Sequence, residues 1–262
     1  MESPPMGAAV VTGAARGIGE AIARAYVAAG GSVLLTDIED DRGEALAADL
    51  GPRARYRHAD VTREDDIQAA IAAAQEEFGP LDAVFANAGA VGVIGRIEET
   101  SLEEWRATID LLLTGVFLTV KHAVAAMRPH RRGAIVCTGS VAGVRGGLGP
   151  HAYTAAKSGV RGLVESVAVE IAPYGLRINA VAPGGTVTSL PARMRFGDPD
   201  ALDAVYARLA AASSSGVPTT AADVAAAALF LAGPSASRIN GACLVIDGGD
   251  DVLSTKGRSY YS

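Results

Sequence analysis

A tyrosine and a lysine stand four residues apart in the stretch Tyr153-Thr154-Ala155-Ala156-Lys157. At that spacing, two side chains on a helix project from the same face. A neighbouring ammonium group stabilises a phenolate over a phenol, so we expect Lys157 to lower the pKa of Tyr153 from its ordinary value of about 10. The pair predicts a tyrosine that exchanges a proton near neutral pH. Because such pairs also occur by chance, the prediction depends on the rest of the chain.

A glycine-rich turn near the start of the chain lies between an apolar run and an alanine-rich stretch. The run Ala8-Ala9-Val10-Val11 is typical of a buried parallel strand, and the turn reads Thr12-Gly13-Ala14-Ala15-Arg16-Gly17-Ile18-Gly19. Backbone N–H groups at the start of the following helix are suited to bind a pyrophosphate. The sequence therefore predicts a dinucleotide site held by Gly13, Arg16, Gly17, Ile18 and Gly19.

The second predicted strand, Ser32-Val33-Leu34-Leu35-Thr36, ends at Asp37. An acidic side chain at this position accepts hydrogen bonds from the ribose hydroxyls of an adenosine and repels a 2′-phosphate. Arg16 is an opposing consideration, since a basic residue in the turn would help to bind a phosphate. We give Asp37 the greater weight, because its repulsion would be direct, and we predict NAD rather than NADP.

From Ala8 to Gly249 the chain resembles a single-domain, NAD(P)-dependent member of the short-chain dehydrogenase/reductase family. The motifs that carry the resemblance are Thr12–Gly19, Asn87-Ala88-Gly89, Tyr153–Lys157, Arg177–Gly184 and Asn240–Gly249. The resemblance implies that Ser140, thirteen residues before Tyr153, joins Tyr153 and Lys157 as a catalytic residue. It also implies cofactor contacts from Asp60, Val61, Asn87, Ala88, Gly89, Tyr153, Lys157, Pro183, Gly184, Thr186 and Thr188.

One position departs from the family pattern. The family usually has an asparagine in the long helix before the catalytic serine, where it holds a water that passes protons from the lysine towards solvent. This chain reads Ile109-Asp110-Leu111-Leu112-Leu113-Thr114-Gly115 there, which places Leu112 at the asparagine position. Leu112 has no polar atom. Another group then holds the water, or proton exchange is slower, or activity is lost.

Alternating strand and helix patterns predict a Rossmann-like α/β fold, a doubly wound seven-stranded parallel sheet with helices on both faces. We expect one domain over residues 1–262, with a substrate lid at about 188–218. The strands are expected near 8–12, 32–36, 54–58, 81–86, 133–138, 176–182 and 242–246. The helices are expected near 17–29, 40–50, 63–78, 101–128, 152–172 and 221–232.

Composition narrows the functional classes. A formal net charge of −6 argues against nucleic acid as a partner. No apolar run approaches the length needed to span a membrane, and Met1–Pro5 lacks the features of a secretory signal. Cys137 and Cys243 fall in predicted buried strands and are expected to be reduced. These features favour a cytoplasmic protein. The sequence has no cluster of metal-ligating residues, so we do not expect a metal site.

The predicted activity is the NAD-dependent interconversion of a secondary alcohol, either a cyclic alcohol or a dihydrodiol, and a ketone. Ser140 would orient the alcohol oxygen while Tyr153 takes its proton. One alternative is an NADPH-dependent 3-ketoacyl or polyketide-type ketoreductase. Another is a sensor or scaffold that binds NAD without turnover. The family resemblance also implies a homotetramer, and the tail Tyr260-Tyr261-Ser262 would reach a neighbour's site or be disordered.

Overall fold

The computed structural model describes residues 6–252. The segment Met1–Pro5 and the tail Tyr260–Ser262, on which two of the expectations above depend, lie outside the described residues.

Seven parallel strands form the central sheet in the order β3-β2-β1-β4-β5-β6-β9. This confirms the predicted doubly wound sheet. Strands are added in one direction from β1 to β3 and in the opposite direction from β4 onwards, so the strand order reverses between β1 and β4. The strands are β1 Ala8–Thr12, β2 Ser32–Asp37, β3 Ala54–His58, β4 Leu81–Ala86, β5 Gly133–Thr138, β6 Leu176–Pro183 and β9 Cys243–Ile246. Ligands bind at such a reversal, beyond the carboxyl ends of the strands.

Helices cover both faces of the sheet, because parallel strands need long crossover connections. One face carries α3 (Glu64–Phe78), α5 (Gly115–Met127) and α6 (His151–Ile171), and the other carries α1 (Gly17–Ala28), α2 (Asp40–Leu50) and α9 (Ala221–Ala232). Each face buries its own apolar cluster. Val10, Ile135 and Ile178 belong to the first cluster, whereas Val11, Val136 and Val181 belong to the second. This alternation fixes which way every strand faces.

The helix expected over 101–128 is interrupted. It begins as α4 (Leu102–Ile109), passes through a π-helical turn at Asp110–Thr114, and continues as α5. Ser101 caps its start, since the Ser101 side chain accepts from Glu104 N while the Glu104 carboxylate accepts from Ser101 N. A π turn holds one residue more than an α-helical turn, which shifts the side chains before it relative to those after it.

The continuous helical stretch Leu102–His130 is long enough to cross a membrane, and it contains an 18-residue window apolar enough to do so by composition, with a mean hydropathy of 1.6. The expectation that no apolar run approaches that length was therefore wrong. The apolar character has another source, because Val116, Val120, Ala123 and Met127 belong to the buried cluster beneath the sheet.

The predicted lid segment has secondary structure of its own. It contains α7 (Ser189–Phe196) and α8 (Leu202–Ala212), and it is bounded by the short strands β7 (Thr186–Val187) and β8 (Thr219–Thr220). These two strands pair with each other in parallel, outside the main sheet. The pairing joins the two ends of the lid at its base.

Candidate active site

Ser140 and Tyr153 meet beyond the carboxyl end of β5. Ser140 precedes a short 3₁₀ turn at Val141–Gly143, where its Oγ accepts a hydrogen bond from Ala142 N at 3.2 Å. Tyr153 lies in the first turn of α6, and a side-chain hydrogen bond links it to Ser140. Ser140 is only 8% exposed. The hydroxyls of Ser140 and Tyr153 therefore form a hydrogen-bonded pair at the edge of the sheet.

Lys157 lies one helical turn beyond Tyr153 and is 4% exposed. Its Nζ donates a hydrogen bond to the carbonyl oxygen of Thr138 at 2.7 Å and lies 5.8 Å from the centroid of the Tyr153 ring. Burial lowers the pKa of Lys157 from 10.5 to about 8, because the charged ammonium loses its hydration. Lys157 is thus held in place by the backbone while its charge is only weakly favoured.

The pKa of Tyr153 is raised, and burial is the main cause. The hydrogen bond from Ser140 acts in the opposite direction and lowers it. The expectation that the protein's own charges lower this pKa was wrong in direction. The cost of removing a phenolate from water outweighs the hydrogen bond from Ser140, and Lys157 is not among the causes of the shift.

Leu112 lies in the π-helical turn and is fully buried. A Cβ placed on Gly89 would be 3.0 Å from Leu112 Cδ2 and 3.9 Å from Lys157 Nζ. An apolar side chain therefore lies beside the lysine ammonium. The hydroxyl of Thr114 donates to Asp110 Oδ1 at 3.3 Å, so Thr114 does not replace the missing amide.

The glycine-rich turn has the backbone of a phosphate site. Gly13 and Gly17 adopt φ of +65° and +57°, which favours glycine. A Cβ on Gly13 would lie 2.6 Å from Ala88 Cα, and one on Gly19 would lie 2.0 Å from Gly13 O. Helix α1 begins at Gly17 without a side-chain cap, so its first N–H groups have no partner from the N-cap side chain. This backbone arrangement fits a pyrophosphate. Ile18 is part of the turn, and its side chain packs on the core.

Asp37 aims its carboxylate at that turn. Its Oδ2 accepts from Ala15 N at 3.0 Å, and its Oδ1 accepts from Ile38 N at 2.8 Å and from Glu39 N at 3.1 Å. These bonds fix the carboxylate and leave Oδ2 an acceptor site, since each oxygen accepts two hydrogen bonds. The geometry suits a ribose hydroxyl.

Arg16 is paired with Glu39. Both Nε and Nη2 of Arg16 lie 2.6 Å from Glu39 Oε2. Nη1 is buried, has no hydrogen-bond partner among residues 6–252, and lies 3.9 Å from Asp200 Oδ1. The sequence showed Arg16 but gave no signal for its partner, because the two residues are 23 positions apart. The ion pair with Glu39 offsets much of the positive charge of Arg16, close to Asp37.

Asn87 joins the ends of β1 and β5. Its Nδ2 donates to the carbonyl oxygens of Thr12 at 3.1 Å and Gly13 at 3.2 Å, and its Oδ1 accepts from the Thr138 hydroxyl at 3.0 Å. The Thr12 hydroxyl accepts from the backbone N–H of Asn87 and of Ala88. Sequence reasoning overlooked Thr12 and Thr138, although a threonine ending a buried strand was the available signal. Gly89, two residues after Asn87, is exposed.

Asp60 and Val61 follow β3 at the other end of the same edge. Asp60 Oδ1 accepts from the backbone N–H and the hydroxyl of Thr62 at 2.9 and 2.8 Å. Val61 is buried, and a Cβ on Gly115 would come within 2.8 Å of its Cγ2. The pair therefore forms a firm turn, with the Val61 side chain packed against α5.

The segment from Pro183 to Thr188 crosses the edge towards the glycine-rich turn. Gly184 N donates to Ile246 O at 3.0 Å, and the Thr186 hydroxyl donates to Gly184 O at 2.9 Å. Thr188 is 8% exposed, and its Cβ would be 3.4 Å from a Cβ on Gly17. The predicted cofactor residues from both halves of the chain thus lie along one continuous edge.

The segment predicted as a lid, residues 188–218, exposes apolar and basic side chains. Leu190, Met194 and Phe196 of α7 are 37%, 49% and 45% exposed. The arginines of the two lid helices, Arg193, Arg195 and Arg208, are also exposed. His151, at the start of α6, is exposed as well. Across residues 6–252, no group of three or more His, Cys, Asp or Glu side chains is arranged to hold a metal.

Comparison with known proteins gives consistent matches over nearly the whole chain. A family model described as enoyl-(acyl carrier protein) reductase matches residues 13–250. Momilactone A synthase of Oryza sativa subsp. japonica is 41% identical, over 94% of this chain and 90% of that protein. The mitochondrial borneol dehydrogenase of Lavandula x intermedia is 36% identical, over 94% and 91%. A crystal structure of levodione reductase superposes with a TM-score of 0.85 at 32% identity, covering 94% of this chain and 98% of that one.

Proposed function

The chain belongs to the short-chain dehydrogenase/reductase family of oxidoreductases acting on alcohol and ketone substrates, and from that membership we propose an NAD-dependent dehydrogenase of a cyclic secondary alcohol or dihydrodiol. The observation that carries the proposal is the bonded pair Ser140–Tyr153 with Lys157 buried behind it. When bound, NAD supplies the hydride acceptor and a positively charged ring.

The protein's own residues would handle the oxygen and its proton. Ser140 donates to the substrate oxygen and stabilises negative charge on it, while Tyr153 takes the hydroxyl proton as the C–H bond breaks. Because burial raises the pKa of Tyr153, the phenolate depends on nearby positive charge. Lys157 provides part of that charge from a site fixed by Thr138 O.

The preference for NAD over NADP is supported by two carboxylates at the ribose position. Asp37 presents a free acceptor site on Oδ2, and Glu39 pairs with Arg16, the residue best placed to bind a 2′-phosphate. A phosphate entering there would meet two negative charges and would have to displace Glu39 from Arg16. The remaining contacts that we propose for the cofactor come from the predicted residues along the carboxyl-end edge of the sheet, from Gly13 to Thr188.

A cyclic, largely apolar substrate is supported by the lid. Its exposed apolar side chains Leu190, Met194 and Phe196 offer contact area to a hydrophobic ring, and Leu209 Cδ2 would lie 3.0 Å from a Cβ on Gly185. The relative named borneol dehydrogenase acts on borneol, which is a cyclic secondary alcohol.

The ketoreductase alternative draws on the family model, whose description refers to acyl carrier protein substrates. Its requirement for NADPH conflicts with Asp37 and Glu39 at the ribose position. The sensor alternative has less support, since a protein that only binds NAD has no physical need of a bonded Ser140–Tyr153 pair with a buried Lys157.

We extend the proposal to a single-domain homotetramer located in the cytoplasm. Apolar side chains are exposed on α5, α6 and the edge strand β9, where Phe117, Val169 and Leu244 are 46%, 78% and 38% exposed. Cys137 and Cys243 are free thiols, Cys137 buried and Cys243 half-buried, which suits a reducing compartment.

The test is steady-state kinetics of the purified protein with a panel of alcohols. Cyclic secondary alcohols and dihydrodiols should reduce NAD at least tenfold more efficiently than NADP, and 3-hydroxyacyl thioesters should be poor substrates. Preferential use of NADP with 3-hydroxyacyl thioesters would establish the ketoreductase instead.

A further inference from the structure

A short segment beyond the central sheet is tied to three parts of the candidate site. Residues 247–252, here called the strap, follow β9 and are organised by Asp247, which is 8% exposed. Asp247 Oδ1 accepts from Gly249 N at 2.8 Å, and its Oδ2 accepts from Asp251 N at 3.2 Å and Val252 N at 2.9 Å. One buried carboxylate thus closes the strap into a compact turn.

The strap reaches the cofactor edge and the lid. Gly185 N, next to the proposed nicotinamide contacts, donates to Asp251 Oδ2 at 3.3 Å. Ser214 N, just beyond α8, donates to Asp250 Oδ1 at 2.9 Å. The strap therefore connects the loop after β6 with the far end of the lid.

Arg145 is the third attachment. It lies between Ser140 and Tyr153 in the chain, and its Nη1 donates to the carbonyl oxygens of Asp251 at 3.1 Å and Val252 at 3.2 Å. Two charge-assisted hydrogen bonds from one guanidinium nitrogen fix both distance and direction. They join the loop of residues 143–150 to the strap.

The other hydrogen bonds of that loop lie at its two ends. At the start, Gly143 N donates to Ser140 O, the Ser158 hydroxyl donates to Gly143 O, and Val144 N and Arg145 N both donate to Val141 O. At the end, the Thr154 hydroxyl donates to Gly149 O at 3.2 Å and Thr154 N donates to Pro150 O at 2.8 Å. Between these points, within the described part of the chain, no hydrogen bond holds residues 146–148. The end of the loop lies against the catalytic tyrosine, since a Cβ on Gly149 would be 3.1 Å from Tyr153 Cδ1. Movement of the loop would change the space beside Tyr153.

We propose that Arg145 is a positioning residue that clasps the 143–150 loop to the strap and so sets the wall of the substrate pocket. The inference rests on the proposed function, because a substrate alcohol must bind between Ser140, Tyr153 and this loop. Without the clasp, the loop must be ordered by the substrate itself, so substrate affinity falls while the catalytic groups remain in place.

The kinetic test compares wild type with Arg145→Ala and Arg145→Lys. We expect Arg145→Ala to raise the KM for the alcohol about tenfold, a loss consistent with charged hydrogen bonds, with kcat and the Kd for NADH within twofold of wild type. Arg145→Lys keeps a cationic donor and should restore part of the KM. Arg132→Ala is the matched control, since Arg132 is an exposed arginine paired with Asp82 at the opposite end of the strands.

A second measurement needs no substrate. Hydrogen exchange followed by mass spectrometry should show faster exchange of the 143–150 loop in Arg145→Ala, with α6 and the central sheet unchanged. Asp247→Asn, which weakens the strap, should act on the same loop, and the double variant should be less than additive. Unchanged loop exchange, or an unchanged KM in Arg145→Ala, would overturn the inference. Absence of turnover in wild type would count against the proposed function alone.

Discussion

Leu112 Cδ2 and Lys157 Nζ both lie within 4 Å of a single point, the place that a Cβ on Gly89 would occupy. An isobutyl group thus lies near the buried ammonium that we propose supports Tyr153 in catalysis. The family pattern has an asparagine amide at this position. Burial is the main influence on the pKa of Lys157, which falls to about 8, and the apolar Leu112 side chain is part of the buried surroundings.

Replacing Leu112 with asparagine should raise the pKa of Lys157 above 8, because an amide oxygen stabilises an ammonium ion. The chain has three lysines, Lys121, Lys157 and Lys256, so NMR titration of 13C-labelled lysine side chains can follow each one. The same change should destabilise the fold by about 2–4 kcal/mol, since it places an amide in a fully buried apolar site. Leu112→Met is the volume-conserving control. An unshifted Lys157 titration in Leu112→Asn would contradict the role assigned to Leu112.

The buried lysine should make stability depend on pH. In the folded state the pKa of Lys157 is about 8, against 10.5 for the free side chain. Between pH 8 and 10.5 the unfolded state binds more protons than the folded state. The contribution of Lys157 to the free energy of unfolding therefore rises with pH. The free energy of unfolding of wild type, minus that of Lys157→Met, should increase from pH 8 to 10.5 with a slope of at most about 1.4 kcal/mol per pH unit. Urea denaturation of both proteins measures it, and a difference that falls with pH would rule out a depressed lysine pKa.

Cofactor preference should reside in Asp37 and Glu39 together. Asp37→Ser removes the repulsion of a 2′-phosphate, and Glu39→Gln releases Arg16 to bind it. We expect the ratio of kcat/KM for NADP to that for NAD to rise about tenfold in the single Asp37 variant and about a hundredfold or more in the double variant, as expected for one and two charge interactions. Asp41→Asn, an exposed change in the first turn of α2, should leave the ratio unchanged. Equal ratios in wild type and the double variant would place the determinant elsewhere.

Strand patterns predicted seven parallel strands close to their observed positions, and the residues at the strand ends indicated which edge of the sheet carries the candidate site. The apolar runs at β1, β4 and β5 are unambiguous because both of their faces are buried. Residues that follow such strands converge by topology alone, which is why Gly13, Asn87 and Ser140 could be placed together from the sequence.

Other features depend on contacts that a linear pattern does not encode. The π turn around Leu112 reads as ordinary helix, because its apolar spacing differs by only one residue. The Arg16–Glu39 pair and the Arg145 clasp join residues 23 and 106 or 107 positions apart. The raised pKa of Tyr153 follows from burial, which the Tyr153–Lys157 spacing does not reveal.

The proposed role of Tyr153 is tested by the turnover of a cyclic secondary alcohol by wild type and by Tyr153→Phe, with NADH binding measured on both proteins by fluorescence titration. We expect the phenylalanine variant to bind NADH within about twofold of wild type, while its kcat falls by about a hundredfold or more, as expected for loss of a general base. Retention of wild-type kcat in Tyr153→Phe would contradict the assignment of Tyr153 as the group that takes the substrate proton.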